Sequence, residues 1–154
     1  MNVSTAEIKE LRERTGAGMM DCKKALIESG GDLEKAVEYL REKGLAAAAK
    51  KAGRIAAEGM ITSFITPDKK CGALVEVNCE TDFVTKVDSF REFARELAEH
   101  IAVNAPKALS AETGKEGPYL LEQTLKSGAT VQETVNELVA NIGEKITVRR
   151  FVRF

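Results

Sequence analysis

Two segments bring together residue types suited to gripping another molecule. They are Thr15-Gly16-Ala17-Gly18-Met19-Met20-Asp21 and Asn78-Cys79-Glu80-Thr81-Asp82-Phe83-Val84. In the first, the plain reading is a helix connection whose glycines supply positive φ. Residue types alone favour it, because helical bundles often use such turns. The sharper reading is a turn that presents Met19 and Met20, whose unbranched thioethers adapt to varied surfaces. In the second segment, Phe83 follows a strand-like run, and large aromatics are usually buried. An aromatic on a tight loop end beside a carboxylate is also well placed to anchor an interface.

Residue types for catalysis are sparse. The single histidine, His100, gives no metal-binding pair and no obvious triad. Gly16-Ala17-Gly18 joins two helical patterns rather than following a strand, so it fails the context test for a nucleotide loop. The carboxylates are scattered over helix surfaces. No enzymatic activity, metal site or cofactor is expected. His100 falls three residues after Leu97, at the edge of an apolar stripe, and reads as a partly buried packing residue. Lys50, Lys51 and Arg54 read as a solvated face. Arg149, Arg150 and Arg153 read as strand surface, with an RNA or protein contact as the lesser alternative.

Composition narrows the classes further. The formal net charge of -1 over 154 residues argues against a dedicated nucleic-acid binder, which would carry a basic excess. Three cysteines, Cys22, Cys71 and Cys79, without a Cys-x-x-Cys pair, suggest inert thiols in a reducing compartment. No apolar run reaches the roughly 20 residues needed to cross a bilayer, and the first residues lack the order of a signal peptide. A cytoplasmic location is expected.

The elements that must hold the two segments can be read from punctuation and period. Ser4 and Glu7 have capping-box spacing, with Val3 and Ile8 placed for a hydrophobic staple. A first helix then stops at Thr15-Gly16. A second starts near Met19 or Met20 and ends at Gly30-Gly31. Asp32 caps a third, with Gly44 as its stop. The alanine-rich stretch that follows has strong helix propensity and little core material. It reads as a linker helix ending near Gly59.

Residues 60–66 and 72–79 then read as a hairpin around Pro67-Asp68-Lys69-Lys70, with Ala73, Val75, Val77 and Cys79 on one face. Asp88 or Ser89 can cap a helix whose core stripe is Phe90, Phe93, Ala94, Leu97 and Ile101, ended by Pro106. Residues 110–118 read as an exposed loop, and 119–125 as a short irregular or strand-like piece. Thr130 and Glu133 repeat the capping box for a last helix, stopped by Gly143. A final strand over 145–154 places Ile146, Val148, Val152 and Phe154 on one face, with Arg150 interrupting.

The sequence closely resembles the elongation factor Ts family. The match begins at Leu11-Arg12-Glu13-Arg14-Thr15-Gly16-Ala17-Gly18-Met19-Met20-Asp21-Cys22-Lys23-Lys24-Ala25-Leu26 and resumes at Ala48-Ala49-Lys50-Lys51-Ala52. It continues at Val75-Glu76-Val77-Asn78-Cys79-Glu80-Thr81-Asp82-Phe83-Val84, at His100-Ile101-Ala102, and from Ile142-Gly143-Glu144 through Val148-Arg149-Arg150-Phe151. The resemblance covers nearly the whole chain outside 110–125, and it favours the sharper reading of both segments. It implies an α+β fold: a three-helix module over 1–45 similar to ubiquitin-associated domains, a linker helix over 46–58, and a core over 59–154. That core would hold a three-stranded antiparallel sheet with packed helices.

The same resemblance implies a guanine-nucleotide exchange factor whose partner is elongation factor Tu, the GTPase that delivers aminoacyl-tRNA. Thr81, Asp82, Phe83 and Val84 would enter the GTPase, with Asp82 and Phe83 as the wedge. Arg12, Met19, Met20 and Lys23 would dock the N-terminal module, and His100 is a further candidate contact. No cofactor, membrane or direct nucleic-acid contact is implied. The chain has one core unit where longer members carry two related halves, and residues 110–118 fall where a longer form would carry inserted sequence. Short members resemble half-molecules that dimerise, so a homodimer is expected, joined through the last strand's edge or the sheet face. The competing reading is an adaptor that binds peptides or proteins through the helical module alone.

Overall fold

Ser4 opens the chain's first helix as its spacing predicts. Its hydroxyl accepts the Glu7 N–H at 3.2 Å, and the Glu7 carboxylate accepts the Ser4 N–H at 2.8 Å. The Ser4 hydroxyl, which also donates to that carboxylate at 2.7 Å, and then the Ser4 N–H hold the Glu7 carboxyl below its usual range. The computed structural model describes residues 3–154. The helix α1 (Thr5–Thr15) is followed by α2 (Met19–Glu28) and α3 (Leu33–Lys51), then strands β1 (Glu58–Ile65) and β2 (Gly72–Cys79). After them come α4 (Asp88–Asn104), α5 (Val131–Ile142) and β3 (Ile146–Arg153). The expected α+β class and three-stranded antiparallel sheet, in the order β1-β2-β3, are both present.

The three N-terminal helices close over a small core of Ile8, Leu11, Cys22, Leu26, Ala36 and Leu40. The first two, 11 and 10 residues long, are too short to be stable alone in water, so this shared core holds them. The larger core lies between one face of the sheet and α4 and α5. There Val75 and Val77 meet Phe90, Phe93, Leu97 and Ile101, with Val131, Val135 and Val139 beside them. The other sheet face leaves Ile61, Ile65, Leu74 and Val152 exposed. Residues 119–125 are irregular around a short 3₁₀ helix, Leu120–Glu122, yet they bury Leu120 and Leu125 in the main core.

Three local expectations are corrected. Gly44 does not stop α3, which runs on unbroken to Lys51 and absorbs much of the expected linker helix. The reason is packing: Gly44 is buried, and a Cβ there would lie 3.4 Å from the Asn136 backbone of α5. Glycine lets the two helix backbones approach closely, offsetting a propensity cost of about 1 kcal/mol. Arg41 reaches Glu133 of α5 at 3.6 Å, and Asn141 Nδ2 donates to the Gly16 carbonyl at 3.3 Å, so the module rests on α5.

The cap of α4 also differs. Val87 occupies the N-cap position, no side chain caps the helix, and Asp88 already lies in the first turn. The third correction concerns β3. Val148 pairs with Val77 but Arg150 pairs with Glu76, so Arg149 is an extra residue in a β-bulge. The bulge reverses the alternation. Ile146 and Val148 stay buried, whereas Val152 and Phe154 turn outward. Phe151 packs on the core instead, and Arg153 Nε donates to the Ala102 carbonyl at 2.9 Å.

Candidate partner-binding site

The second segment lies where β2 leaves the sheet. After Cys79 the chain is pinned by long-range bonds. The Glu80 carboxylate accepts the Lys145 N–H at 2.7 Å, and Glu144 accepts both the Thr81 N–H at 2.9 Å and the Thr81 hydroxyl at 2.6 Å. The Lys145 N–H, the largest cause, holds the Glu80 carboxyl below its usual range. A 3₁₀ helix, Asp82–Lys86, follows, steadied by the Thr85 hydroxyl donating to the Asp82 carbonyl at 2.6 Å.

Within that turn the side chains divide sharply. Val84 is 4% exposed and belongs to the main core, whereas Phe83 is 72% exposed. Asp82 is exposed beside it. The Phe83 ring has the Lys86 ammonium 5.6 Å from its centre and otherwise faces outward. Burying a phenylalanine side chain is worth roughly 1.5–3 kcal/mol, which the free chain forgoes here. Val84, expected among the partner-binding residues, packs in the core and roots the turn. Cys79 just before it is buried and inert. Burial first, then the Glu144, Glu58 and Asp82 carboxylates, push its thiol up to about 11.

The first segment stands on the other core. Gly16 adopts φ +69° and its N–H closes α1 on the Arg12 carbonyl at 2.8 Å. Ala17 is buried, Gly18 takes the N-cap position, and α2 begins at once with Met19 and Met20, 56% and 75% exposed. Arg12 and Lys23 are exposed near this turn. Asp21 is paired with Lys43 of α3, which fixes the start of α2 against the module. Two thioethers thus project from a turn whose backbone is tightly held.

His100 does not join either patch. Its Nε2 lies 2.7 Å from Gln123 Oε1, and its Nδ1 lies 3.2 Å from Asn104 Nδ2. Both bonds are satisfied when Nε2 carries the proton, so the ring ties α4 to the 119–125 segment. Sequence reasoning gave Glu80 no role within its segment and missed Glu144 and Lys145 as supports of the site. Their partners lie far along the chain, beyond the reach of any periodic pattern. Among the described residues, no helix is long and apolar enough to cross a membrane.

Residues 80–154 match the family model described as Elongation factor TS. The chain is 48% identical over 191 aligned positions to elongation factor Ts of Desulforamulus reducens, an alignment covering 99% of this chain and 88% of that protein. The chain belongs to the elongation factor Ts family. Elongation factor Ts of Geobacter metallireducens is similar at 47% over 193 positions, covering 100% of this chain and 89% of its own. Both alignments exceed the 154 residues of the chain, so these relatives carry residues with no counterpart here. Elongation factor Ts of Clostridium botulinum strain Eklund 17B is 58% identical over 152 residues, covering 99% of this chain and 48% of that one. The chain therefore spans about half the length of the Clostridium elongation factor Ts proteins it matches.

Proposed function

We propose that this chain is a guanine-nucleotide exchange factor that binds elongation factor Tu in the cytoplasm and promotes GDP release during translation elongation. It catalyses no covalent step and needs no cofactor of its own. The observation that carries this reading is the outward Phe83 ring, 72% exposed beside an exposed Asp82, on a turn rooted by buried Val84. Such a ring is a strong anchor for a pocket in a partner. Met19, Met20, Arg12 and Lys23 supply a second contact on the helical module.

The physics of exchange fits a wedge. GDP on a GTPase is held by phosphate contacts and by Mg²⁺. That ion demands near-ideal octahedral geometry, so a small displacement of its surroundings weakens it. Coupling is reciprocal: if the wedge loosens GDP, GDP loosens the wedge by the same factor. The factor accelerates exchange in both directions without choosing the nucleotide.

The assay is release of labelled GDP from elongation factor Tu with and without this chain. Acceleration at micromolar concentration is expected, and its absence rejects the reading. An adaptor acting through the helical module alone would instead bind the same partner equally well without Phe83.

The proposal extends to a homodimer. Ile61 and Ile65 on β1, Leu74 on β2 and Val152 on β3 expose apolar side chains on one sheet face, with Phe154 beside them. A second copy presenting the same face would cover them. Sedimentation equilibrium should give twice the 16.7 kDa chain mass, falling to one chain when Ile61 and Leu74 become charged.

A further inference from the structure

Thr81, the residue that leads into the Asp82–Phe83 turn, is held by a side chain 63 positions away. Glu144 uses both oxygens on it. Oε1 accepts the Thr81 N–H at 2.9 Å, and Oε2 accepts the Thr81 hydroxyl at 2.6 Å. Two charge-assisted bonds to one residue fix orientation as well as position. The next residue works the same seam from the other side. The Lys145 N–H donates to Glu80, and Lys145 Nζ donates to the carbonyls of Ala52 and Arg54 at 2.7 and 2.9 Å, just beyond α3.

Glu144 is poorly explained as support for its own helix. It follows Gly143, which ends α5 at φ +84°. A carboxylate just past a helix C-terminus opposes the helix dipole. The left-handed turn at Gly143 instead brings this carboxylate back to the loop after β2. We propose that Glu144 is the positioning residue of the wedge: by clamping Thr81 it sets the direction in which Asp82 and Phe83 leave the sheet. This rests on the exchange-factor reading above. Glu144 need not touch the partner. It acts through Thr81, and its loss would leave the ring attached to the core through Val84 but free to swing.

The test uses the full chain and elongation factor Tu loaded with labelled GDP. Release rates are taken across a concentration series, so that the plateau rate and the half-saturating concentration separate. A merely destabilised fold lowers the active fraction, which moves the half-saturating concentration and leaves the plateau. A misdirected wedge lowers the plateau itself. Glu144→Ala is expected to reduce the plateau by on the order of tenfold or more, because small misplacements of a working group are costly. Glu144→Gln can still accept the Thr81 N–H and meet its hydroxyl with the amide, and is expected to keep most of the plateau.

Should Glu144→Ala fail to fold, Glu144→Asp retains the charge but withdraws it by one methylene, and its plateau decides. An unchanged plateau in the folded Ala or Asp variant overturns the proposal. So does an equal fall in Glu144→Gln, which would assign the effect to charge rather than geometry. Failure of the unmodified chain to accelerate release would reject the exchange reading instead.

Discussion

Phe83 and Val84 are adjacent in the chain, yet one ring stands 72% exposed while the other side chain is 4% exposed in the core with Val77 and Phe90. In the exchange-factor reading the pair would work as a blade and its tang. The two substitutions should therefore separate. Phe83→Ala is expected to leave the urea midpoint nearly unchanged and to weaken binding to elongation factor Tu by about 2 kcal/mol or more. Val84→Ala should instead lower stability by about 2 kcal/mol through the cavity it leaves. Titration calorimetry alongside urea unfolding reads both; a folding loss in Phe83→Ala would contradict the exposed placement.

Ala105 closes α4 in the left-handed region, at φ 50° and ψ 52°, with its N–H on the Ile101 carbonyl at 3.1 Å. Glycine is the usual occupant of that position. Ala105→Gly should raise stability by roughly 1 kcal/mol, relieving the steric penalty of a Cβ there. Lys69, at φ 60° in the hairpin turn, offers an independent repeat of the same experiment. A lower urea midpoint in either variant would contradict this.

Gly59 is the opposite case. It sits in β1 at φ +151°, opposite Asn78, and a Cβ there would fall 2.3 Å from the Val77 carbonyl oxygen. Backbone of the central strand cannot move aside cheaply. Gly59→Ala should lower stability by about 3 kcal/mol, at the upper end for overpacking, visible as a large drop in thermal midpoint.

Glu137 gives a pH signature. It is half-buried on α5 in a small cavity lined by Thr15, Ala17, Leu40 and the Asp21–Lys43 pair. Burial first, and the neighbouring Glu133 carboxylate second, push its carboxyl up from 4.5 to about 7. The folded chain thus holds a proton that the unfolded chain gives up. Stability from this group is greatest below about pH 4.5 and is lost as pH rises to about 7. Glu7, Glu38, Asp68 and Glu80 are shifted the other way and act at lower pH. The difference in unfolding free energy between Glu137→Gln and the unmodified chain should grow from pH 5 to pH 7 and then level off. A flat difference would contradict the assignment.

Much of this fold can be read along the chain because its signals are local. Ser4 with Glu7 and Thr130 with Glu133 form the capping boxes their spacing indicates. Phe90, Phe93, Ala94, Leu97 and Ile101 all reach the core. The failures share one cause, which is information held by distant partners. Gly44 continues a helix because α5 packs against it, and Arg149 bulges out of a strand whose alternation otherwise looks regular. Residue type favoured a buried Phe83; its place at a loop end beside a carboxylate offered the exposed ring as the lesser reading, and the resemblance favoured it. Glu144 carried no local signal at all, since Thr81 becomes its neighbour only after folding.

The unbroken run of α3 through Gly44 fixes more than a helix boundary. It joins Met19 and Met20 on one core to Phe83 on the other by a stiff beam braced along α5. In the exchange-factor reading, the spacing between those two contacts is thereby set like the jaws of a caliper. A single residue inserted after Gly44 would turn the remainder of α3 by about 100° against the module, while leaving each jaw's own surface intact.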